Sequence, residues 1–158
     1  MTKRFYYLTV LIHATMRHVQ LSQDDLRNIR ELYEGVISNA SHGLFFKEGS
    51  IIGIGIANMA IQDRATYFDT CRKLLVEKDW VKDIKFSEKQ VEVQGSIESV
   101  PGAPEDDKKQ KTCHRLRGII RKIYETFLNQ KVYCKETECA SVTNSRCVFE
   151  IGTMEMVK

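Results

Sequence analysis

The sequence predicts an α+β domain, an antiparallel sheet packed with about three helices. Apolar residues recur at steps of three and four in three stretches, the mark of helices with one buried face. Between and after them lie short runs that alternate apolar with polar residues and come in adjacent pairs, as antiparallel strands do. The order that results is β-α-(β)-α-β-β-α-β-β, and 158 residues are enough for one such domain.

Residues 4–12 (RFYYLTVLI) are aromatic and β-branched enough for a strand. Thr9, His13 and Arg17 interrupt the apolar run and no small-residue cleavage site follows, so it reads as a strand and not a signal peptide. Ser22 is an N-cap, with Asp24 and Asp25 in the first turn behind it. Leu26, Ile29, Tyr33 and Val36 then form a stripe that carries a helix to about Ser38. Residues 39–53 contain Gly43, Gly49 and Gly53 and read as a turn-rich connection with one short extended piece. A second helix is expected from about Gly53 to Lys78, on the stripe Ala57, Ile61, Ala65, Phe68, Cys71 and Leu75. Cys71 lies on that stripe and is expected to be a small buried core residue.

Two strands follow, residues 81–86 and then Val91, Val93, Gly95 and Ile97 in alternation with polar residues. Both prolines, Pro101 and Pro104, fall in the next loop, a break too short for a domain linker. A third helix is expected over about 107–129, its stripe running Cys113, Leu116, Ile120, Ile123 and Phe127. Residues 131–138 and 146–151 make a final pair of strands around a polar loop.

Composition excludes several classes. The basic surplus is only three charges, 24 against 21, without the basic stripe of a dedicated nucleic-acid binder, so no nucleic-acid partner is expected. No segment approaches the ~20 apolar residues of a membrane span. Neither a Ser/His/Asp set nor a phosphate loop is present, and enzymatic activity is not the expectation. Gly53-Ile54-Gly55 is a poor dinucleotide fingerprint, since position 58 is asparagine and no acidic residue ends a following strand. His13 and His18 stand five apart and are read as ordinary histidines. Trp80 with Tyr67, Phe68 and Phe86 is expected to be core, with an apolar pocket as the alternative.

The informative count is cysteine. Five is an odd number, and four of the five (113, 134, 139, 147) crowd the last 46 residues, which points to metal and not to a disulfide framework. The pattern C-x22-E-x2-C-x7-C names Cys113, Glu136, Cys139 and Cys147 as ligands, most readily of zinc. Cys113 is expected one or two turns into the third helix, facing inward, and the last hairpin brings Cys139 and Cys147 together. Along an extended strand 134, 136 and 138 share a face, so Cys134 or Glu138 are alternatives to Glu136. His114 adjoins Cys113 but points about 100° away around the helix. Four ligands leave no open position, so such a site is structural. Reduced thiols and a metal suit a cytoplasmic protein.

These same residues resemble the 4-vinyl reductase domain family. The resemblance covers roughly residues 40–152 and includes GLFFKEGSIIGIG, CHRLRGIIRKIY and KVYCKETECASVTNSRCVFEI, of which the last is the specific part. It implies a small-molecule-binding domain with a preference for hydrophobic or aromatic ligands. It also implies the fold shared with nitric-oxide-sensing heme domains and Golgi-transport (TRAPP) subunits, the NO-signalling/Golgi-transport ligand-binding fold. Relatives of this kind occur in aromatic-sensing transcription activators and beside tetrapyrrole-synthesis enzymes. In the aromatic sensors a zinc is held by a Cys, a Glu and two further Cys, a pattern matched here at Cys113, Glu136, Cys139 and Cys147, and this favours Glu136 over Cys134. The sensors' ATPase and DNA-binding domains have no counterpart here. Their ligand-contacting histidine has no placed equivalent, and no heme is expected because His13, His18, His42 and His114 lie outside the second predicted helix. The division that follows is 1–38, a strand and helix expected to serve homodimerisation, and 39–158, the ligand-binding domain. A protein-binding scaffold like TRAPP subunits, or an accessory role in tetrapyrrole metabolism, are the alternatives.

Overall fold

A computed structural model describes residues 17–102 and 110–154. The predicted strand at 4–12 and His13 lie outside these residues, as does the predicted start of the third helix at Asp107. The first helix, α1 (Gln23–Ile37), begins as expected. Ser22 Oγ accepts from the Asp25 N–H at 3.0 Å and the Asp25 carboxylate accepts from the Ser22 N–H at 2.8 Å, a reciprocal capping box. Its expected stripe is only partly buried. Leu26 is covered, but Tyr33 and Val36 remain 45% and 72% exposed, since no described element lies over that flank.

The expected turn-rich connection at 39–53 is instead the first half of a long helix, α2 (Ala40–Ala60). Its glycines serve packing and not turning. None has positive φ; among described glycines only Gly95 and Gly102 do. A Cβ on Gly49 would stand 1.9 Å from the Arg115 carbonyl oxygen, and one on Gly118 would stand 2.2 Å from that of Phe46. The two helices therefore touch backbone to backbone, which only glycine permits. The predicted second helix is also divided. It breaks after Ala60, and α3 starts afresh as Tyr67–Glu77. Ala65, assigned to the buried stripe, is exposed in the break, where its N–H donates to Asp63 Oδ1 at 3.0 Å. Cys71 is fully buried, as expected.

The sheet matches its prediction closely. Strands β1 (Asp83–Phe86) and β2 (Gln90–Gln94) form a hairpin with Phe86 opposite Val91. The next helix, α4 (His114–Leu128), ends at Asn129, whose φ of 53° closes it in the left-handed region. Then come β3 (Val132–Glu138), a single turn α5 (Ala140–Thr143) inside the loop expected to be irregular, and β4 (Cys147–Thr153). The sheet order is β1-β2-β4-β3, antiparallel throughout. Val91, Val93, Val132, Phe149 and Ile151 turn inward against Leu116, Ile119, Ile120 and Ile123 of α4 and Cys71 and Leu75 of α3. Burying a side chain of this size stabilises by ~1.5–3 kcal/mol each. Helix α2 packs along the far side of α4, and α1 lies against α2.

Candidate metal centre and ligand cavity

Four chain turns meet at the N-terminal end of α4. Cys113 is the residue that caps that helix, not one inside it as the stripe suggested. Glu136 faces inward from β3, Cys139 caps α5, and Cys147 opens β4. One donor atom of each lies within 4.8 Å of those of the other three, and all four residues are buried. Cys113 Sγ stands 3.5 Å from Cys147 Sγ and 4.0 Å from Cys139 Sγ. Tetrahedral zinc with Zn–S near 2.3 Å requires sulfurs about 3.8 Å apart, so the spacing fits.

The polar bookkeeping around this cluster also calls for a cation. Glu136 Oε1 is buried with no hydrogen-bond partner, a state that costs ~1–3 kcal/mol, more for a charged group. Burial, and then the neighbouring Cys139 charge, push the Glu136 carboxyl well above the carboxylate range. Hydrogen bonds from Cys113 and Cys147 pull Cys139 far below the ordinary thiol range. Cys113, donating into them and buried, is pushed far above it. A dication bound here would favour the ionised form of all four donors. Two further polar groups approach the sulfurs. The Ala140 N–H reaches Cys147 Sγ at 3.3 Å, and Thr112 Oγ1 lies 3.7 Å from Cys139 Sγ.

The alternative ligands do not join this cluster. Cys134 is buried on the same strand face but is outside the group. A bulge between Glu136 and Glu138 breaks the strict alternation, so Glu138 points outward and pairs with Arg146 Nε at 3.5 Å. His114 turns away and stacks on His42, ring centroids 4.0 Å apart. Burial drives the His114 imidazole pKa down to about 3. Sequence reasoning missed Glu98, which is buried beside the cluster. Its carboxylate accepts from the N–H groups of Arg115 at 3.2 Å and Leu116 at 2.8 Å, capping α4 from a distant loop. Glu-to-helix spacing across 17 residues of chain leaves no local signal.

The other end of α4 is built differently. Phe68, Phe86, Tyr124 and Phe127 line a cavity of about 780 Å³, together with Leu128, Tyr133 and Ile151 and the polar residues Ser87, Glu88, Lys89, Gln130 and Thr153. Phe68 is the hub, 4.7 Å from Phe127, 5.2 Å from Phe86 and 5.3 Å from Tyr124 between ring centroids. The Tyr124 hydroxyl donates to the Ser87 carbonyl, and Tyr67, fully buried, donates to that of Ile123 at 2.7 Å. Of the four aromatics proposed from sequence, Phe68 and Phe86 line this cavity and Tyr67 is core. Trp80 belongs elsewhere, in an apolar groove of about 700 Å³ with Leu26, Ile29, Leu32 and Ile51 between α1 and α2. Tyr124 was overlooked because it lies one step off the helical stripe; Phe127 was on it. His18 is exposed.

Comparison with known proteins places this arrangement. Residues 95–153 match the V4R domain, a span that includes all four residues of the Cys/Glu cluster. No curated protein matches the chain by sequence. Among solved structures, the phenol-responsive sensory domain of the transcription activator PoxR, crystallised with phenol, is similar at a TM-score of 0.71. Its identity is 13%, and the match covers 87% of this chain and 77% of that one. A vinyl-4-reductase family protein from Methanocaldococcus jannaschii gives 0.56 at 15% identity, over 90% of this chain and 86% of its own. A trafficking protein particle complex subunit 3 from Naegleria fowleri, covalently bound to palmitic acid, covers 87% of this chain and 99% of its own at 12% identity. Its TM-score of 0.49 is too low to bear on the fold. The chain therefore has the α+β fold of that sensory domain and of the vinyl-4-reductase family protein, and residues 95–153 match the V4R domain.

Proposed function

We propose that this chain is a non-catalytic binding domain for a small hydrophobic or aromatic molecule, held together by a structural zinc at Cys113, Glu136, Cys139 and Cys147. The observation that carries the reading is the aromatic-walled cavity at the C-terminal end of α4. Its volume, about 780 Å³, is within the usual range for a small-molecule site, and its walls combine aromatic rings with several polar groups. The similarity to a sensory domain crystallised with phenol supports an aromatic ligand. Four buried donors with tetrahedral spacing support zinc as a closed, structural ion. Unpaired buried cysteines suit a reducing, cytoplasmic compartment. Leu32, Val36, Ile51 and Ile54 expose a contiguous apolar side of α1 and α2, which supports a homodimer through these helices. A net charge of +3 gives no reason to invoke nucleic acid.

The test is a thermal-shift screen with phenol, toluene, naphthalene and a long-chain fatty acid. A ligand at a hundred times its Kd adds about 2.7 kcal/mol, which raises Tm by about 5–10 °C in a chain of this size. Phe68→Ala removes the hub ring and should abolish the shift for the ligand that gave it. Tm values unmoved by the whole panel, or a shift that survives Phe68→Ala, would overturn the assignment of this cavity.

A further inference from the structure

Beyond the cysteine cluster, a separate group of metal-ligating side chains stands where α1, α2 and α4 meet. We propose that Glu34, His42 and His114 form a second metal site, for a divalent transition metal held by nitrogen and oxygen. The inference does not rest on the zinc reading above, since none of its donors is shared.

Three elements deliver the three donors. Glu34 lies near the end of α1, His42 in the first turn of α2, and His114 is the first residue of α4. A ring nitrogen of each histidine and a carboxylate oxygen of Glu34 all lie within 4.8 Å of one another. His42 Nε2 is already 2.9 Å from Glu34 Oε1. Taken alone, that pair is an ordinary part-buried hydrogen bond. The unexplained atom is His114 Nε2, buried with no hydrogen-bond partner among the described residues, on a residue only 9% exposed. A ring nitrogen left this way is destabilising, and a metal ion would satisfy it.

The chemistry of the set selects the ion. Two imidazoles and one carboxylate suit zinc, cobalt, nickel or iron(II), and they give calcium or magnesium too few oxygens. The imidazole rings lie 16° from parallel, stacked and not convergent. Tetrahedral zinc with Zn–N of 2.0–2.1 Å would bring ligating nitrogens to about 3.3 Å, so binding requires a rotation of one ring. His42 can supply it, because its side chain is 20% exposed and that of Glu34 is 28% exposed. The same open side admits the ion and leaves one position for water.

Two guanidiniums oppose the cation and set its strength. Arg30 Nε is 3.8 Å from the same Glu34 oxygen and would be displaced. Arg117 is engaged on the Phe46 ring face, 4.3 Å from its centroid. The second ion is therefore held more weakly than the first, and a chelator should remove it first. It would also tie α1 to the two helices beneath.

The experiment is a cobalt(II) titration of the zinc-loaded full chain. One further cobalt per chain should bind, with d–d bands of nitrogen and oxygen ligation and no new thiolate charge transfer. Amide exchange in α1 should slow at the same point. His42→Ala and Glu34→Gln, both outside the cysteine cluster, should each weaken this second cobalt by at least about tenfold, a loss that even outer-shell changes reach. In fully cobalt-substituted protein, an intact thiolate charge-transfer band shows that either variant is folded. No second cobalt in the wild type, or a second cobalt held equally by both variants, would overturn the proposal. A missing thiolate band in the wild type would count against the cysteine site alone.

Discussion

The two ends of α4 solve different problems with the same helix. At the N-terminal end, Cys113, Glu98 and the backbone N–H groups of Arg115 and Leu116 are all engaged, and the surrounding thiols are fully buried. At the C-terminal end, Tyr124 and Phe127 face a cavity whose walls touch only in part. The first end has buried donors and no room; the second has room, with aromatic rings beside polar residues such as Ser87, Lys89 and Gln130. A closed set of four ligands cross-links helix to hairpin, while an aromatic cavity can exchange its contents. If the proposed function holds, stability and ligand binding are separated along one helix, about 20 Å apart by its rise of 1.5 Å per residue.

That separation can be broken from either side. The largest effect is expected at the closed end. Cys139→Ala or Cys147→Ala should abolish metal retention and cost about 5 kcal/mol, less than the ~10–16 kcal/mol of small zinc peptides because this domain has its own core. Elemental analysis and chemical denaturation check both. Next comes the seam behind the helix. Gly49→Ala drives a methyl against the Arg115 carbonyl and should cost about 3 kcal/mol, whereas Gly55→Ala, with open space around it, should stabilise by up to about 1 kcal/mol. Equal effects at the two sites would contradict backbone contact between α2 and α4.

A further effect concerns pH. Burial raises the Glu98 carboxyl to about 7, despite the pull of the Leu116 N–H and the Arg115 charge. A folded-state pKa raised above the unfolded value, about 4.3, gives stability that is complete below that value and lost as pH rises through about 7. Comparing wild type with Glu98→Gln cancels the titration of the metal ligands. The stability of wild type relative to this variant should fall by about 1–3 kcal/mol between pH 5 and pH 8. A difference that is flat across this range would show that Glu98 stays ionised.

The sequence made the sheet and the Cys/Glu cluster legible because both are written in local spacing. Val91 and Val93 alternate, and Cys139 and Cys147 flank one hairpin loop. The helices were harder. Gly43, Gly49 and Gly53 signal turns by composition, yet Gly49 and Gly53 are required by contact with Arg115 and Ile119, some 66 residues later in the case of Gly49. Tertiary packing overrode propensity there. The break at residues 61–66 was masked because Ala65 continued the stripe. The cap from Glu98 was invisible for the same reason as the glycines, since it acts across the fold. The cavity was half legible, because aromatic residues announce a cluster but not which ring faces the space.

Native mass spectrometry of the purified full chain tests the account most directly, because it weighs both ends of α4 at once. The account predicts one zinc per chain that survives gentle activation, and an apolar ligand that leaves first and without it. A stable chain that carries neither ion nor ligand, or a ligand that departs only together with the zinc, would contradict it.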